Sequence, residues 1–486
     1  MKDIELVSLS GRISANESIS VITETIRANS ISRSETPDDS VDFSEVEINN
    51  NAVDNSGEIS VLSNDFDDKD DQYYPEGGLE AYLVMFGSFC GAITSLGMIN
   101  SIGAVQAYVS NHQLMNLKAT TVSWIFSIYL AICYSVGIII GPIFDYKGAR
   151  GLIIVATALT FIGLMAAANS TEIYQFILSF ICLGLGNGIA LTPLIGVTNH
   201  WFLRRRGFMT GIVTSGGSVG GLSMPLILRH AFKVYDYVWA IRIIAFYCLA
   251  LMLIACFLVK ARIFRTKVPQ EKTKFSIADT TKKVMAILKK HSDITFVFTG
   301  MGAFCLELSL VLFLTYFVTY AMAQGFSEST GYLLLTTWNT TSIVGRLIPS
   351  LGSDFIGKYN VNILMTSAYN LCIFVILLAF GYKLSALYAF AGIGGFFSGS
   401  ILGSIPACLA QITKVSEFGE RYGILNFIIS FGNLVGIPIG AAVIDDGSIK
   451  NYNYLIVLIG CLSTLGTLFF YIARFTMVGF KLNAKV

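Results

Sequence analysis

From residue 78 onward the chain alternates between long apolar stretches and short polar breaks, whereas no apolar stretch of comparable length precedes it. A helix needs roughly 20 residues to cross about 30 Å of hydrocarbon. In that solvent every backbone N–H and C=O must be satisfied within the segment. The pattern therefore predicts an all-α membrane protein. Twelve transmembrane helices are expected, over residues 81–107, 122–144, 152–168, 174–202, 208–228, 238–259, 294–323, 331–351, 361–382, 384–412, 423–444 and 452–475.

The spans fall into two similar sets. Gly207, Gly216 and Gly220 recur 216 residues later as Gly423, Gly432 and Gly436, and Asp145-x-x-Gly148 recurs after 209 residues as Asp354-x-x-Gly357. Two duplicated six-helix halves follow, and parallel halves of this kind carry substrate near the midplane between them. Glycines also recur every four residues, at Gly216 and Gly220, at Gly395, Gly399 and Gly403, and at Gly432, Gly436 and Gly440. Such stripes let helix backbones approach closely, for static packing or for sliding.

Charge changes the picture at the ends of the spans. Residues 1–76 hold 18 of the 32 acidic and 5 of the 33 basic residues, which leaves 28 basic against 14 acidic residues in the rest. That Ser-, Asp-, Glu- and Asn-rich segment buries too little apolar surface to offset its ordering entropy, so 1–76 reads as a disordered acidic cytosolic tail. Its serines are candidate phosphorylation sites. No signal-peptide pattern is present, so insertion is expected to begin at the first span.

Short cytoplasmic loops are enriched in Lys and Arg. Lys147, Arg150, Arg204, Arg205, Arg206, Lys358, Lys414 and Arg421 mark one side, and ten more basic residues lie in the central connection 260–293. The organisation expected is the tail, a first bundle over 77–259, the basic linker 260–293, a second bundle over 294–475 and a tail over 476–486, with both termini cytosolic. Ile277, Val284, Ile287 and Leu288 alternate with lysines in the linker, which reads either as a helix on the anionic leaflet or as a flexible connection. Asn169-Ser-Thr171 is a sequon in a loop too short for ready glycosylation.

Only 13% of residues are charged, about half the fraction of a soluble chain. All nine cysteines sit in apolar runs and read as small hydrophobes, without disulfide or metal spacing. No helix gathers the His, Cys, Asp or Glu constellation of a membrane enzyme. No cofactor, metal or nucleic-acid partner is expected; the partners are membrane lipid and a small-molecule solute.

Gly141-Pro-Ile-Phe-Asp-Tyr-Lys-Gly-Ala-Arg150 between spans two and three resembles the loop signature of the major facilitator superfamily. The resemblance implies the major facilitator fold and a conformational latch in which Asp145 and Arg150 engage neighbouring helix ends. Pro75-Glu-Gly-Gly-Leu-Glu-Ala-Tyr82 and Trp201-Phe-Leu-Arg-Arg-Arg-Gly-Phe-Met-Thr-Gly211 look like the two signatures of the monocarboxylate porter family. Glu417-Phe-Gly-Glu-Arg-Tyr-Gly423 and Pro438-Ile-Gly440 extend the fit beyond the tail. Within that family the chain is similar to the fungal monocarboxylate-transporter homologues, a branch that includes a riboflavin carrier.

Ionisable groups at mid-span cost roughly 2.5 to 3.5 kcal/mol to insert and are functional candidates for that reason. Glu307, Arg346 and Arg242 are the three. Glu307 has apolar residues on both sides, and because desolvation favours a neutral carboxyl it is a candidate proton carrier, with helix pairing as the alternative. Arg346 is similar in position to the porters' carboxylate-binding arginine. Ser342 stands where the porters have aspartate and Asn100 where they have lysine, so lactate-type proton symport is not implied. Arg242, near a membrane edge, reads as interfacial. Asn100, Asn339 and Asn426 are the neutral candidates for orienting a solute, with Asn187, Thr192, Trp338 and Asn433 as further polar groups near mid-span.

The reading is a secondary transporter of a small organic solute, monocarboxylate-like or a vitamin, working by alternating access, with proton coupling dependent on Glu307. A riboflavin carrier and a transporter-like nutrient sensor are the alternatives. The plasma membrane is the expected location, the vacuolar membrane the second choice.

Overall fold

A computed structural model describes residues 74–262 and 293–485, apart from 112, 116, 118, 446, 482 and 483. The acidic tail up to residue 73 and linker residues 263–292, with their amphipathic pattern, lie outside the described residues.

The first six long helices are α1 (Leu79–Asn111), α2 (Ala119–Ser135 continued by Gly137–Lys147), α3 (Arg150–Ala168), α4 (Ile173–Gly196 with a last turn Thr198–Trp201), α5 (Arg206–Val234) and α6 (Tyr237–Leu258). The second six are α7 (Ile294–Ala323), α8 (Glu328–Ile356), α9 (Lys358–Cys372, passing into a π turn Ile373–Leu378), α10 (Leu384–Gln411), α11 (Phe418–Ile444) and α12 (Ile449–Val478). The expected twelve are thus present among the described residues. Polar residues set several starts. The Asp293 carboxylate accepts the Phe296 N–H at 2.7 Å at the head of α7, and Ser327 and Ser448 cap α8 and α12.

The duplication reaches the prolines. Pro142 and Pro349 lie inside α2 and α8, Pro193 and Pro406 inside α4 and α10, and Pro225 and Pro438 inside α5 and α11. Prolines are tolerated within membrane helices because neighbouring helices re-satisfy the freed carbonyls.

Eleven of these helices carry a stretch long and apolar enough to cross a membrane; α8 does not. Its sequence is rich in Ser, Thr and Asn and contains Arg346, and these residues face protein rather than hydrocarbon, with Asn339, Ser342, Arg346, Ser350 and Ser353 all buried. Conversely, α3, α6, α9 and α12 turn apolar side chains outward, among them Ile162, Phe257, Leu371 and Leu468. α8 is thus a polar helix whose buried polar face the other helices shield from hydrocarbon.

The halves meet along two long contacts, α2 against α11 and α5 against α8. The second half also holds an aromatic core in which Trp338 packs 4.5 Å from Phe313 and 5.6 Å from Phe390, ring centre to ring centre. Trp338 is therefore a core residue. Asn187 is likewise internal to the first half, donating to the Tyr129 hydroxyl at 2.9 Å and accepting from Thr160.

Candidate functional site

Between the halves lies a partly open cavity of about 90 Å³, walled mostly by Leu and Ile from α1, α2, α4, α7, α8, α10 and α11. Polar groups enter it at few points. Glu307, Arg346, Asn100 and Asn426 are among the lining residues, so four candidates from four different helices converge. Asn339 does not line it. Its amide donates to Leu335 O at 3.2 Å and Gly221 O at 3.5 Å, which places it in the α5–α8 contact beside the cavity.

Four uncharged lining groups carried no signal in the sequence: Tyr134 on α2, Thr214 on α5, Thr315 on α7 and Tyr422 on α11. Two of them hold the charges. The Tyr134 hydroxyl donates to Glu307 Oε1 at 2.7 Å. Arg346 Nη1 donates to the Thr214 carbonyl, and its Nε has no hydrogen-bond partner. No ion pair joins Glu307 to Arg346, although they share one cavity. Arg346 thus commits one donor to the protein itself. The position expected for a coupling aspartate, Ser342, shares a hydrogen bond of 3.0 Å with Ser218 on α5.

The Arg346 contact is one layer of a ladder. Along α8, Asn339, Ser342, Arg346, Ser350 and Asp354 recur at three- and four-residue spacing, and they meet Gly221, Ser218, Thr214, Gly211 and Gly207 of α5 in antiparallel order. The spacing is that of one helix face meeting another. Gly217 completes the Arg346 layer, since a Cβ there would stand 3.1 Å from Nη1.

At the end of the molecule that carries Asp145, backbone amides and carboxylates tie the halves. Asp145 is buried, and its two oxygens accept the Gly419 and Glu420 N–H groups at 2.9 and 2.8 Å at the start of α11. Asp354 repeats the arrangement in reverse, accepting Gly207 and Phe208 N–H at 2.8 and 2.9 Å at the start of α5. Each half caps a helix of the other, where orphan amides and the helix dipole both favour an anion. Arg150, the other expected latch residue, is exposed at the head of α3 and makes no hydrogen bond or ion pair with a described residue.

The two family-like signatures meet at this same end. Glu76 Oε1 accepts the Leu203 and Arg204 N–H groups at 2.5 and 2.6 Å, and the neighbouring Arg206 donates to Ala410 O of α10 at 3.1 Å. Arg242, by contrast, lies at the opposite end, stacked over Trp239 at 5.2 Å and donating to Asn169 Oδ1 at 3.0 Å. An interfacial position suits both contacts.

Twelve helices in two halves, an internal cavity with sparse polar groups and reciprocal caps between the halves define a solute carrier of the rocking type. The chain matches the family model of the Major Facilitator Superfamily over residues 87–387 and belongs to that family. It is 36% identical over 442 residues to the Riboflavin transporter MCH5 of Saccharomyces cerevisiae, covering 87% of this chain and 85% of the relative. It is 33% identical over 425 residues to MFS-type transporter 1 of an Ophiocordyceps species, covering 86% and 90%. The proton:xylose symporter XylE superposes with a TM-score of 0.62 at 12% identity, covering 81% of this chain and 94% of that one, a likeness of fold. The chain is accordingly a secondary transporter of a small solute embedded in a membrane, and not an enzyme.

Proposed function

We propose that the chain is an uptake carrier for riboflavin or a similarly flat, neutral, polar solute, bound in the central cavity by Arg346, Glu307, Asn100 and Asn426. The observation that carries this reading is the charge balance of the cavity, one acid and one base among amides and apolar walls. A monocarboxylate asks for excess positive charge, which Asn100 does not supply and Glu307 offsets. A neutral heteroaromatic with several donors and acceptors asks for amides, a guanidinium fork and apolar faces. The likeness to a fungal riboflavin transporter points the same way.

Asp145 and Asp354 serve as the latch that closes one end, with Arg150 engaging in another conformation. The basic loops support a cytosolic position for that closed end, and with it for both chain termini, the acidic segment 1–76 and the basic segment 260–293. The plasma membrane fits an uptake carrier. The test is uptake of labelled riboflavin by proteoliposomes or by cells lacking their own flavin uptake. Saturable uptake that excess lactate or pyruvate leaves unaffected is expected; uptake of lactate without riboflavin would overturn the assignment.

A second reading follows from one observation, that Glu307 is the carboxylate in the cavity. A protonated Glu307 leaves Arg346 as the net charge, so proton entry and binding of an anionic solute group become coupled. Glu307→Gln then keeps exchange of internal for external solute and loses accumulation driven by a pH gradient. Undiminished pH-driven accumulation in that variant would assign the carboxylate a packing role.

A further inference from the structure

Both buried charges of the cavity belong to the second half, Glu307 on α7 and Arg346 on α8, and both are held by neutral groups of the first half. Tyr134 and Thr214 are those groups, on α2 and α5. When the halves separate at the Asp145 end, neither contact survives, because its two members move apart with their bundles. The carboxylate and the guanidinium would then each lose a hydrogen-bond partner on a mostly apolar wall, where an unsatisfied charge is costly. They have one partner that moves with them, and it is each other.

We propose that Tyr134 is a positioning residue of the transport cycle, holding Glu307 away from Arg346 while the Asp145 end is closed and releasing it to pair with Arg346 when that end opens. The exchange of partners explains why no ion pair joins two opposite charges in one cavity in this closed arrangement. It lets the empty carrier reorient without stranded charge. A solute that occupies Arg346 or Glu307 takes the place of the missing partner, so loaded and empty carriers both have a route between states. The inference rests on Glu307 and Arg346 forming the solute site proposed above, but its test needs no solute.

Spin labels at Lys147 and Lys414, exposed residues of the two halves at the Asp145 end, report whether that end is closed or open. The full chain in lipid nanodiscs is used, with the exposed Cys461 replaced. A hydrogen bond to a charged group changes an equilibrium by roughly tenfold to a hundredfold. Tyr134→Phe keeps the ring and removes the donor, so it raises the open-to-closed ratio by about that factor. Glu307→Gln has the opposite effect. The amide still accepts from Tyr134 in the closed state but no longer neutralises Arg346 in the open one, so the open-to-closed ratio falls.

A static Tyr134–Glu307 contact predicts that both variants loosen the same bond and open the same end. Opposite shifts support the exchange of partners; shifts in the same sense, or none, overturn it. Riboflavin uptake by the same preparations separates this from the substrate assignment. Opposite shifts without flavin uptake keep the exchange and discard the flavin, and uptake with unmoved labels does the reverse.

Discussion

The two contacts between the halves are built differently. Along α2 and α11 glycine meets glycine: a Cβ on Gly141 would fall on the Gly419 carbonyl, and one on Gly423 would fall on the Gly137 carbonyl. Along α5 and α8 the contact is a ladder of hydroxyls, an amide and Arg346, with glycines facing mostly side chains, as Gly207 faces Asp354 and Gly221 faces Asn339. Yet both end in the same device, a carboxylate from one half capping a helix of the other. The first contact is a close backbone fit without side chains to adjust. The second carries the charge that reaches the cavity, so under the proposed function it joins solute binding to the gate.

The comparison breaks most readily at the glycines. Gly141→Ala drives a methyl into backbone that has no side chain to yield, and is expected to cost about 3 kcal/mol or more, the upper part of the overpacking range. Gly221→Ala meets the Asn339 amide, which can turn away, and the Asn100 Cβ, which moves only with α1, and costs about 2 kcal/mol. Thermal unfolding of the two variants in detergent checks the order. Equal losses would mean that the two contacts are equally rigid.

Arg346→Lys sharpens the role of the ladder. A lysine ammonium holds the Thr214 carbonyl or faces the cavity, but lacks the planar fork that does both. Solute uptake is expected to fall about tenfold to a hundredfold, the worth of a charge-assisted bond, with protein amount in the membrane unchanged. Uptake kinetics indistinguishable from wild type would remove Arg346 from the solute site.

The reciprocal caps test whether the shared device is shared in energy. Asp145→Asn and Asp354→Asn each replace a carboxylate that accepts two amides by a group with one acceptor oxygen. Each is expected to cost about 1 to 2 kcal/mol of closure and to open the Asp145 end by a similar factor. The label distance between Lys147 and Lys414 reads both. A large effect from one and none from the other would show that a single contact holds the gate. The smallest effect is expected from Ser342→Ala, which removes a neutral hydroxyl pair worth about 1 kcal/mol and should lower uptake less than tenfold.

Much of the fold was legible in advance because membrane spans advertise themselves through length and polarity. The instructive span is α8. It is too polar to qualify by hydropathy over a full window, yet the alternation of apolar stretches and polar breaks already marked 331–351 as the eighth of twelve. Within the candidate site, Glu307, Arg346, Asn100 and Asn426 were visible because polar residues at mid-span are expensive. Asn339 was visible for the same reason and turned out to serve the helix contact. Tyr134 and Thr214 were invisible, since a tyrosine or threonine in an apolar run costs little and stands out from nothing. Arg150 matched a motif, yet it makes no hydrogen bond or ion pair with a described residue in the closed arrangement.

By itself the sequence determined the number of helices, their duplication and the residues too costly to leave unpaired, because those follow from local composition and the solvent the helices must enter. Which partner each costly residue takes was decided only by tertiary structure. Glu307 reaches Tyr134 across 173 positions and Arg346 reaches Thr214 across 132. A hydrogen bond needs its donor and acceptor within about 3 Å, and that proximity is created by the way the two bundles face each other, which no local pattern in the chain records.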